Sequence, residues 1–267
     1  MRSSRKKVPF FGTSYRVSAR MSSTIARVRY HCPMGVWRRL LGPLVEVVIT
    51  PVAIGAAVSA GAVVFFLNLA DDIREQDGVW KFDHDGLNLG NALRTPERTA
   101  IARTVSDLAR PDVMSAVAVV SVIIAWRSVR FRREAILMAI TLGGGGLIIG
   151  TTKYRYGRLR PSLVEALAVE ETFSFPSGHS FVSMCFYGTL AYWWMKNRHW
   201  LAKIGIGSIT TLFIAIVGAS RVYLGVHYPS DVLAGYAAAL PWLVACLSAY
   251  ERSEREIDVD DLLLLKD

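Results

Sequence analysis

The stretch that decides the fold is VVITPVAIGAAVSAGAVVFFLNLA, residues 47–70. A helix built from it has no polar face to turn towards water, because its apolar residues occur at every angle around the axis. The stretch also exceeds the roughly 20 residues that a helix needs to cross the hydrocarbon core of a bilayer. It therefore favours a membrane-spanning helix over the alternative, a soluble helical bundle.

Further apolar stretches follow along the chain. The 267 residues are 52% hydrophobic with a mean hydropathy of +0.32, which is too apolar for an ordinary soluble domain. We predict an all-α fold, a bundle of six transmembrane helices in a membrane domain over residues 44–250. The predicted spans are residues 44–69, 112–126, 135–152, 179–195, 201–219 and 231–249, with Pro51 and Pro241 as tolerated kinks,.

The basic residues predict the orientation of this bundle. Residues 1–43 contain many Lys and Arg and no acidic residue, which is typical of a cytoplasmic tail,. Such a tail fits anionic lipid headgroups better than nucleic acid. The loops after the second and fourth spans are basic too, so both termini, including the tail 251–267, are predicted to be cytoplasmic, in the cell (inner) membrane.

The loop over residues 71–111, after the first span, is long enough to contain structure of its own. Thr95 suits a helix cap and Pro96 a first helical turn. A short helix there would place three apolar residues on one face, namely Ile101, Val105 and Leu108. We expect this helix to lie on the membrane surface and to shape the access of lipids.

Several other segments are interpreted as structural. LGGGGLIIGTTK, residues 142–153, lacks the spacing of a phosphate loop, and Gly143–Gly146 suit close helix packing instead,. KFDHDG, residues 81–86, is predicted to be a solvated loop rather than a metal site, because consecutive residues seldom converge on one ion. The cysteines, Cys32, Cys185 and Cys246, do not suggest a disulfide framework,.

Three polar segments lie at the outer ends of the last four predicted spans. They are KYRYGRLRP at 153–161, PSGH at 176–179 and SRVYLGVHYPSD at 220–231. The first is basic although it lies on the translocated side, where topology does not call for positive charge. Because the intervening spans cross the membrane in pairs, all three segments are expected on one face. Their cations, histidines and carboxylate indicate a phosphate site.

Each of the cations has a role in phosphoryl transfer. Lys153, Arg160 and Arg221 would stabilise the negative charge on the transferred group, the arginines through paired hydrogen bonds and the lysine as a point charge. Ser177 suits a helix N-cap, and Gly178 would leave the backbone N–H groups of the next helix open to an anion.

The histidines suit acid–base and nucleophilic roles. A neutral imidazole attacks phosphorus only when its other nitrogen is held, and Asp231 is placed four residues after His227 to do so. His227 is therefore the predicted nucleophile. His179 would protonate the leaving oxygen and later accept a proton from water.

The three segments resemble the signature of the phosphatidic acid phosphatase type 2 superfamily. The signature has Lys, six residues and Arg-Pro; then Pro-Ser-Gly-His; then Ser-Arg, five residues, His, three residues and Asp. The sequence matches it at every defining position, and the resemblance covers about residues 135–249. It implies a phosphatase that needs no metal or cofactor and forms a phosphohistidine at His227, in an active site at the extracytoplasmic ends of spans 3–6.

The predicted function is therefore hydrolysis of phosphate monoesters or diphosphates of lipids. Site residues at span ends favour a lipid substrate, since a headgroup dwells there while its tails stay in hydrocarbon. Candidates are phosphatidate, phosphatidylglycerol phosphate, an isoprenyl diphosphate and a glycolipid. The alternatives are a phosphotransferase that uses the same phosphohistidine and a lipid transporter with a non-catalytic site. The oligomeric state is not predicted.

Overall fold

A computed structural model describes residues 51–75 and 79–264, and within them the chain forms helices and no strands. The predicted tail 1–43, residues 44–50 of the first predicted span, and Cys32 lie outside this part. The described helices are α1 (Pro51–Glu75), α2 (Trp80–Ala92), α3 (Pro96–Asp107), α4 (Pro111–Arg127), α5 (Arg132–Tyr156), α6 (Gly178–Met195), α7 (Trp200–Tyr223) and α8 (Pro229–Leu264). The all-α prediction is confirmed.

Within the described residues, five segments are long and apolar enough to cross a membrane. They are Ala53–Glu75, Pro96–Arg127, Arg132–Tyr156, Trp200–Tyr223 and Pro229–Glu254. Each overlaps one predicted span, which makes the chain an integral membrane protein. The predicted span 179–195 coincides with α6, which is not among these five segments. The six-span count stays a prediction.

The helices run beyond the predicted spans. Helix α1 continues past residue 69 to Glu75, and α7 continues past residue 219 to Tyr223. Helix α8 contains Pro241 and extends to Leu264, through most of the segment predicted as a C-terminal tail. Apolar length sets the part of a helix that lies in hydrocarbon, whereas its backbone hydrogen bonds continue into polar sequence.

Helix α6 packs in the middle of the bundle, against α5, α7 and α8. Its Phe181 is fully buried in a cluster with Leu142 of α5 and Ala239 of α8. A Cβ atom at Gly145 would lie 2.7 Å from Phe181 Cε1, and one at Gly144 would lie 2.4 Å from a Trp242 ring carbon. The remaining two glycines of the run, at positions 143 and 146, face open space. Close packing therefore explains two of the four glycines.

The segment between α1 and α4 contains α2 and α3. Thr95 caps α3, its Oγ1 accepting a hydrogen bond from Arg98 N at 3.2 Å, and Pro96 opens the first turn. Ile101 is 62% exposed and Leu108 is 49% exposed. An apolar strip on the outside of α3 is what the interface between water and a bilayer accommodates.

The interpretation of KFDHDG as a solvated loop is wrong. These residues form the start of α2, and Asp83 is buried, with 1% of its surface exposed. Its carboxylate accepts hydrogen bonds from Arg158 and Ser230. A buried carboxylate requires such partners, and the partners come from distant parts of the sequence, so the local pattern did not show them.

The long loop over residues 157–177 is held by hydrogen bonds to its neighbours near its middle and by a hydrogen bond within the loop nearer its end. Near its middle, Glu165 O accepts from Arg94 Nη2 at 2.8 Å. Leu167 O accepts from Arg103 at 3.1 Å, and Leu167 N donates to Leu224 O at 2.8 Å. Nearer its end, Ser174 N donates to Arg158 O at 2.8 Å. The residues between these hydrogen bonds, 168–173, are called the strap below; its last two carbonyl groups also accept hydrogen bonds, from Arg160 and Lys153.

Candidate active site

The polar residues of the three segments come from the ends of four helices. Lys153 and Arg221 lie in the last turns of α5 and α7, whereas His179 and Asp231 lie in the first turns of α6 and α8. Because α5 and α7 end at the site and α6 and α8 begin there, these four helix ends lie together. The structure thus assembles the three segments into one buried cluster, as expected.

His227 lies at the centre of the cluster, in the turn between α7 and α8, and is 1% exposed. Its Nδ1 is 3.4 Å from Asp231 Oδ2, and its Nε2 is 3.3 Å from Arg160 Nη1. If Nδ1–H donates to the carboxylate, Nε2 keeps a lone pair that faces the cations. Burial lowers the pKa of His227 to about 4, against the opposing effect of Asp231, so the ring is neutral at neutral pH,.

Asp231 is completely buried and fully hydrogen-bonded. Its Oδ2 accepts from Tyr228 N at 2.9 Å and from the Ser174 hydroxyl, in addition to His227. Its Oδ1 accepts from Arg158 Nη1 at 2.6 Å. A carboxylate held on both oxygens cannot rotate, so it fixes the plane and the tautomer of the imidazole.

Of the three cations, Arg160 contacts His227 Nε2, and Lys153 acts on the ring electrostatically. Arg160 donates from Nη1 to Val226 O at 2.7 Å and from Nε to Thr172 O at 2.8 Å. Lys153 Nζ donates to Phe173 O. Arg221 Nη1 donates to Ser106 Oγ at 2.5 Å, but its Nε is buried and has no partner. Buried donors are rarely left unpaired, so this N–H is available to an anion.

The start of α6 completes the cluster. Ser177 caps the helix by accepting from Ser180 N at 3.4 Å. A Cβ atom at Gly178 would lie 3.8 Å from Lys153 Cε, so the helix start and the lysine are adjacent. His179 is 4% exposed and interacts electrostatically with Arg221, His227, Lys153 and Arg160. The eight residues predicted from the sequence to bind phosphate or to act in catalysis therefore all belong to this cluster.

Residues 134–255 match the PAP2 superfamily. The resemblance inferred from the three motifs is confirmed. Phosphatidylglycerophosphatase B of Bacillus subtilis is 38% identical over 109 residues, which cover 40% of this chain and 53% of the relative. An undecaprenyl-diphosphatase of Sulfolobus acidocaldarius is 30% identical over 112 residues, covering 40% of this chain and 50% of the relative. The chain thus spans about half the length of these curated relatives, both of which are named phosphatases.

A solved structure is similar over a longer range. The PAP2 type phosphatidylglycerolphosphate phosphatase from Bacillus subtilis superposes with a TM-score of 0.65 and is 28% identical in sequence. The superposition covers 73% of this chain and 96% of that protein. The match therefore extends beyond the PAP2 motifs to most of the helical bundle.

Sequence reasoning missed an acidic residue inside this cluster. Glu170, on the strap of residues 168–173, forms ion pairs with both Arg160 and Arg221. Its carboxylate thus contacts the two arginines that are predicted to bind phosphate. No spacing rule indicated it, because it lies between two PAP2 motifs, in a loop that only the folded structure brings over the cations.

Three further residues of the network were also missed. Arg158 lies inside the first PAP2 motif and Ser174 just before the second, whereas Asp83 lies on α2, outside the matched residues. Proximity to the motifs could have indicated Arg158 and Ser174. Within the described residues, no group of three or more His, Cys, Asp and Glu side chains could hold a metal ion.

Proposed function

We propose that this protein is a membrane lipid phosphatase that works through a phosphohistidine at His227 and uses no metal. The observation that supports this most strongly is the arrangement of His227. A buried carboxylate holds Nδ1 at 3.4 Å, and Nε2 faces the guanidinium of Arg160 at 3.3 Å. A nucleophilic nitrogen is thereby aimed at the place where a phosphoryl group would be held.

In the proposed first step, His227 Nε2 attacks phosphorus, and the bond from phosphorus to the leaving oxygen breaks as the N–P bond forms. Burial and the surrounding cations lower the pKa of His179, and the negative charge of bound phosphate would offset them,. His179 therefore enters this step as its imidazolium and donates that proton to the leaving oxygen. Lys153, Arg160 and Arg221 stabilise the charge on the transferred group, with the unpaired Nε of Arg221 as one donor,. The N-terminal N–H groups of α6 after Ser177 and Gly178 add to this field.

In the proposed second step, His179 removes a proton from water, and the water oxygen attacks the phosphohistidine. The N–P bond breaks, inorganic phosphate forms, and His227 is again neutral. Asp231 stabilises the positive charge that develops on the imidazole in both steps. Incoming phosphate would also have to displace Glu170 from Arg160 and Arg221.

We propose that the substrate is the phosphorylated headgroup of a lipid, with phosphatidylglycerol phosphate and an isoprenyl diphosphate as leading candidates. Support comes from the names of the relatives and from the position of the site at helix ends in an apolar bundle. We further propose six spans, cytoplasmic termini and an extracytoplasmic site in the cell membrane, on the basis of the distribution of basic residues.

The experiment is phosphate release by the purified protein in detergent with EDTA present. The panel contains phosphatidate, phosphatidylglycerol phosphate, undecaprenyl diphosphate and a soluble phosphate ester. We expect release that survives EDTA and is lost in His227→Ala. His199→Asn is the matched control, because His199 is exposed and only caps α7.

The outcomes separate the alternatives. Phosphate release that is unchanged in His227→Ala would contradict the phosphohistidine mechanism. A phosphorylated lipid product in place of free phosphate would show transfer to an alcohol. Lipid binding without any turnover would favour the transporter.

A further inference from the structure

The ion pair that holds Asp231 continues into α2. Arg158 donates from Nη1 to Asp231 Oδ1 at 2.6 Å and from Nη2 to Asp83 Oδ2 at 2.6 Å. The guanidinium therefore bridges two buried carboxylates, which are 0% and 1% exposed. It also lies over the Tyr228 ring, 4.0 Å from the centroid. Arg158 is thus held on three sides.

Asp83 also fixes the first turn of α8. Its Oδ1 accepts from Ser230 N at 2.9 Å, and its Oδ2 accepts from Ser230 Oγ at 2.6 Å. The same serine hydroxyl is 2.8 Å from Arg158 Nη1. Because Ser230 immediately precedes Asp231, the carboxylate on α2 holds the backbone that presents the catalytic carboxylate.

The charges along this chain of contacts are unequal. Asp83 and Asp231 carry two negative charges and Arg158 carries one positive charge, so the group as a whole is anionic beside His227. Without Asp83, the remaining pair would be neutral. An anionic neighbour favours a positively charged imidazole, which is the state that forms as His227 attacks phosphorus.

We propose that Asp83 is a positioning residue of the catalytic network, which acts through Arg158 to orient Asp231 and to supply the negative charge that supports His227. It would be a second carboxylate of the reaction, contributed from outside the 134–255 region that matches the PAP2 superfamily. The proposal rests on the proposed function for its effect on turnover. Its effect on the charge state of His227 can be measured without turnover.

Several other groups also act on His227 and define what the test must keep constant. Arg160 and Lys153 approach from the loop and from α5, and both oppose a positive charge on the ring. Asp231 favours that charge, and His179 interacts with the ring from α6. None of these side chains is replaced in the variants below. Asp83→Asn also leaves the contact between Arg158 and Asp231 in place, so a shift in that variant reports the charge of Asp83.

The variants are Asp83→Asn, Arg158→Gln and the double variant, each assayed with the best lipid of the panel across a range of pH. We expect kcat to fall by about tenfold in Asp83→Asn with KM almost unchanged, because Asp83 contacts Arg158 and Ser230 and none of the residues predicted to bind phosphate,. Asp85→Asn is the matched control, since Asp85 lies on the same helix and is exposed. It should behave as the parent protein does.

The acidic limb of the pH profile gives the decisive readout. Asp83→Asn removes a negative charge and should move the limb to lower pH, whereas Arg158→Gln removes a positive charge and should move it to higher pH, each on the order of half a pH unit. The double variant should return close to the parent limb. A purely structural role predicts no shift, or shifts of one direction in both single variants.

The same shifts can be followed without substrate by NMR titration of ¹³C-labelled histidine, with the His227 signal assigned from His227→Ala. If the His227 titration moves in opposite directions in the two single variants but no lipid releases phosphate, the role of Asp83 is supported and the proposed function is refuted. If phosphate is released but His227 titrates identically in all variants, the role of Asp83 is refuted and the proposed function is unaffected.

Discussion

Replacement of Glu170 by glutamine should tighten the binding of inorganic phosphate. The Glu170 carboxylate contacts Arg160 and Arg221, so an anion that binds the same guanidinium groups must displace it. Glutamine keeps the size of the side chain and removes its charge. The variant would therefore offer phosphate two arginines that are no longer paired with a carboxylate.

The size of the effect follows from the exposure of the pairs. A hydrogen bond to a charged group contributes about 1.5–3 kcal/mol. Glu170 is 23% exposed, so solvent screening places the loss of its charge nearer to 1–2 kcal/mol, roughly 5-fold to 30-fold in affinity,. We expect the Ki of phosphate as a competitive product inhibitor to fall by this factor.

The assay is inhibition of lipid turnover by added phosphate, with Glu171→Gln as the control because Glu171 is exposed. Thermal unfolding provides an independent measurement. Without phosphate, Glu170→Gln should be less stable than the parent, since the buried Arg221 and the half-buried Arg160 have lost their counterion. Phosphate should restore more stability to the variant than to the parent. A Ki that is unchanged or weaker in Glu170→Gln would refute competition between the carboxylate and phosphate.

Three further predictions concern packing, pH and lipid access. Gly145→Ala should lower the free energy of unfolding by about 1–3 kcal/mol, because its Cβ would lie 2.7 Å from Phe181, whereas Gly143→Ala faces open space and should not; thermal unfolding in detergent compares them,. The pKa of His227 is about 4 in the folded protein against an ordinary value of 6.5, so the unfolded chain binds the proton first as the pH falls. The free energy of unfolding should therefore decrease as the pH drops from 6.5 to 4,. In His227→Asn, unfolding measured across this pH range should show a smaller decrease. Ile101→Asp, on the exposed strip of α3, should reduce turnover of a long-chain lipid more than turnover of a soluble ester, and equal loss on both would contradict a role in lipid access.

The sequence predicted the helical class and the composition of the cluster, because both depend on local patterns. Apolar runs of bilayer length indicate spans, and the three motifs have fixed internal spacing. Helix ends were less predictable, as the extension of α8 through Pro241 to Leu264 illustrates. Apolar length does not determine where a helix stops once it leaves hydrocarbon.

The missed residues share a different property. Asp83 and Glu170 are acidic residues whose partners lie far away in the sequence, on other helices or loops. Their own neighbours in the chain resemble those of a surface loop. Only the folded arrangement shows that Asp83 is buried against Arg158 and that Glu170 contacts the arginines, so pattern reasoning placed neither in the site.

The hydrogen bonds that hold the 157–177 loop bear on how fast the site can exchange its anions. Residues 165 and 167 are hydrogen-bonded to Arg94, Arg103 and Leu224, and Ser174 is hydrogen-bonded to Arg158. A strap of six residues that is held at both ends cannot move away from the cations as a unit. Release of the arginines then requires rotation of one glutamate side chain, a motion of picoseconds to nanoseconds for a partly exposed residue rather than the microseconds to milliseconds of a domain closure. Departure of phosphate would be governed by its affinity for the cations and not by a slow conformational gate.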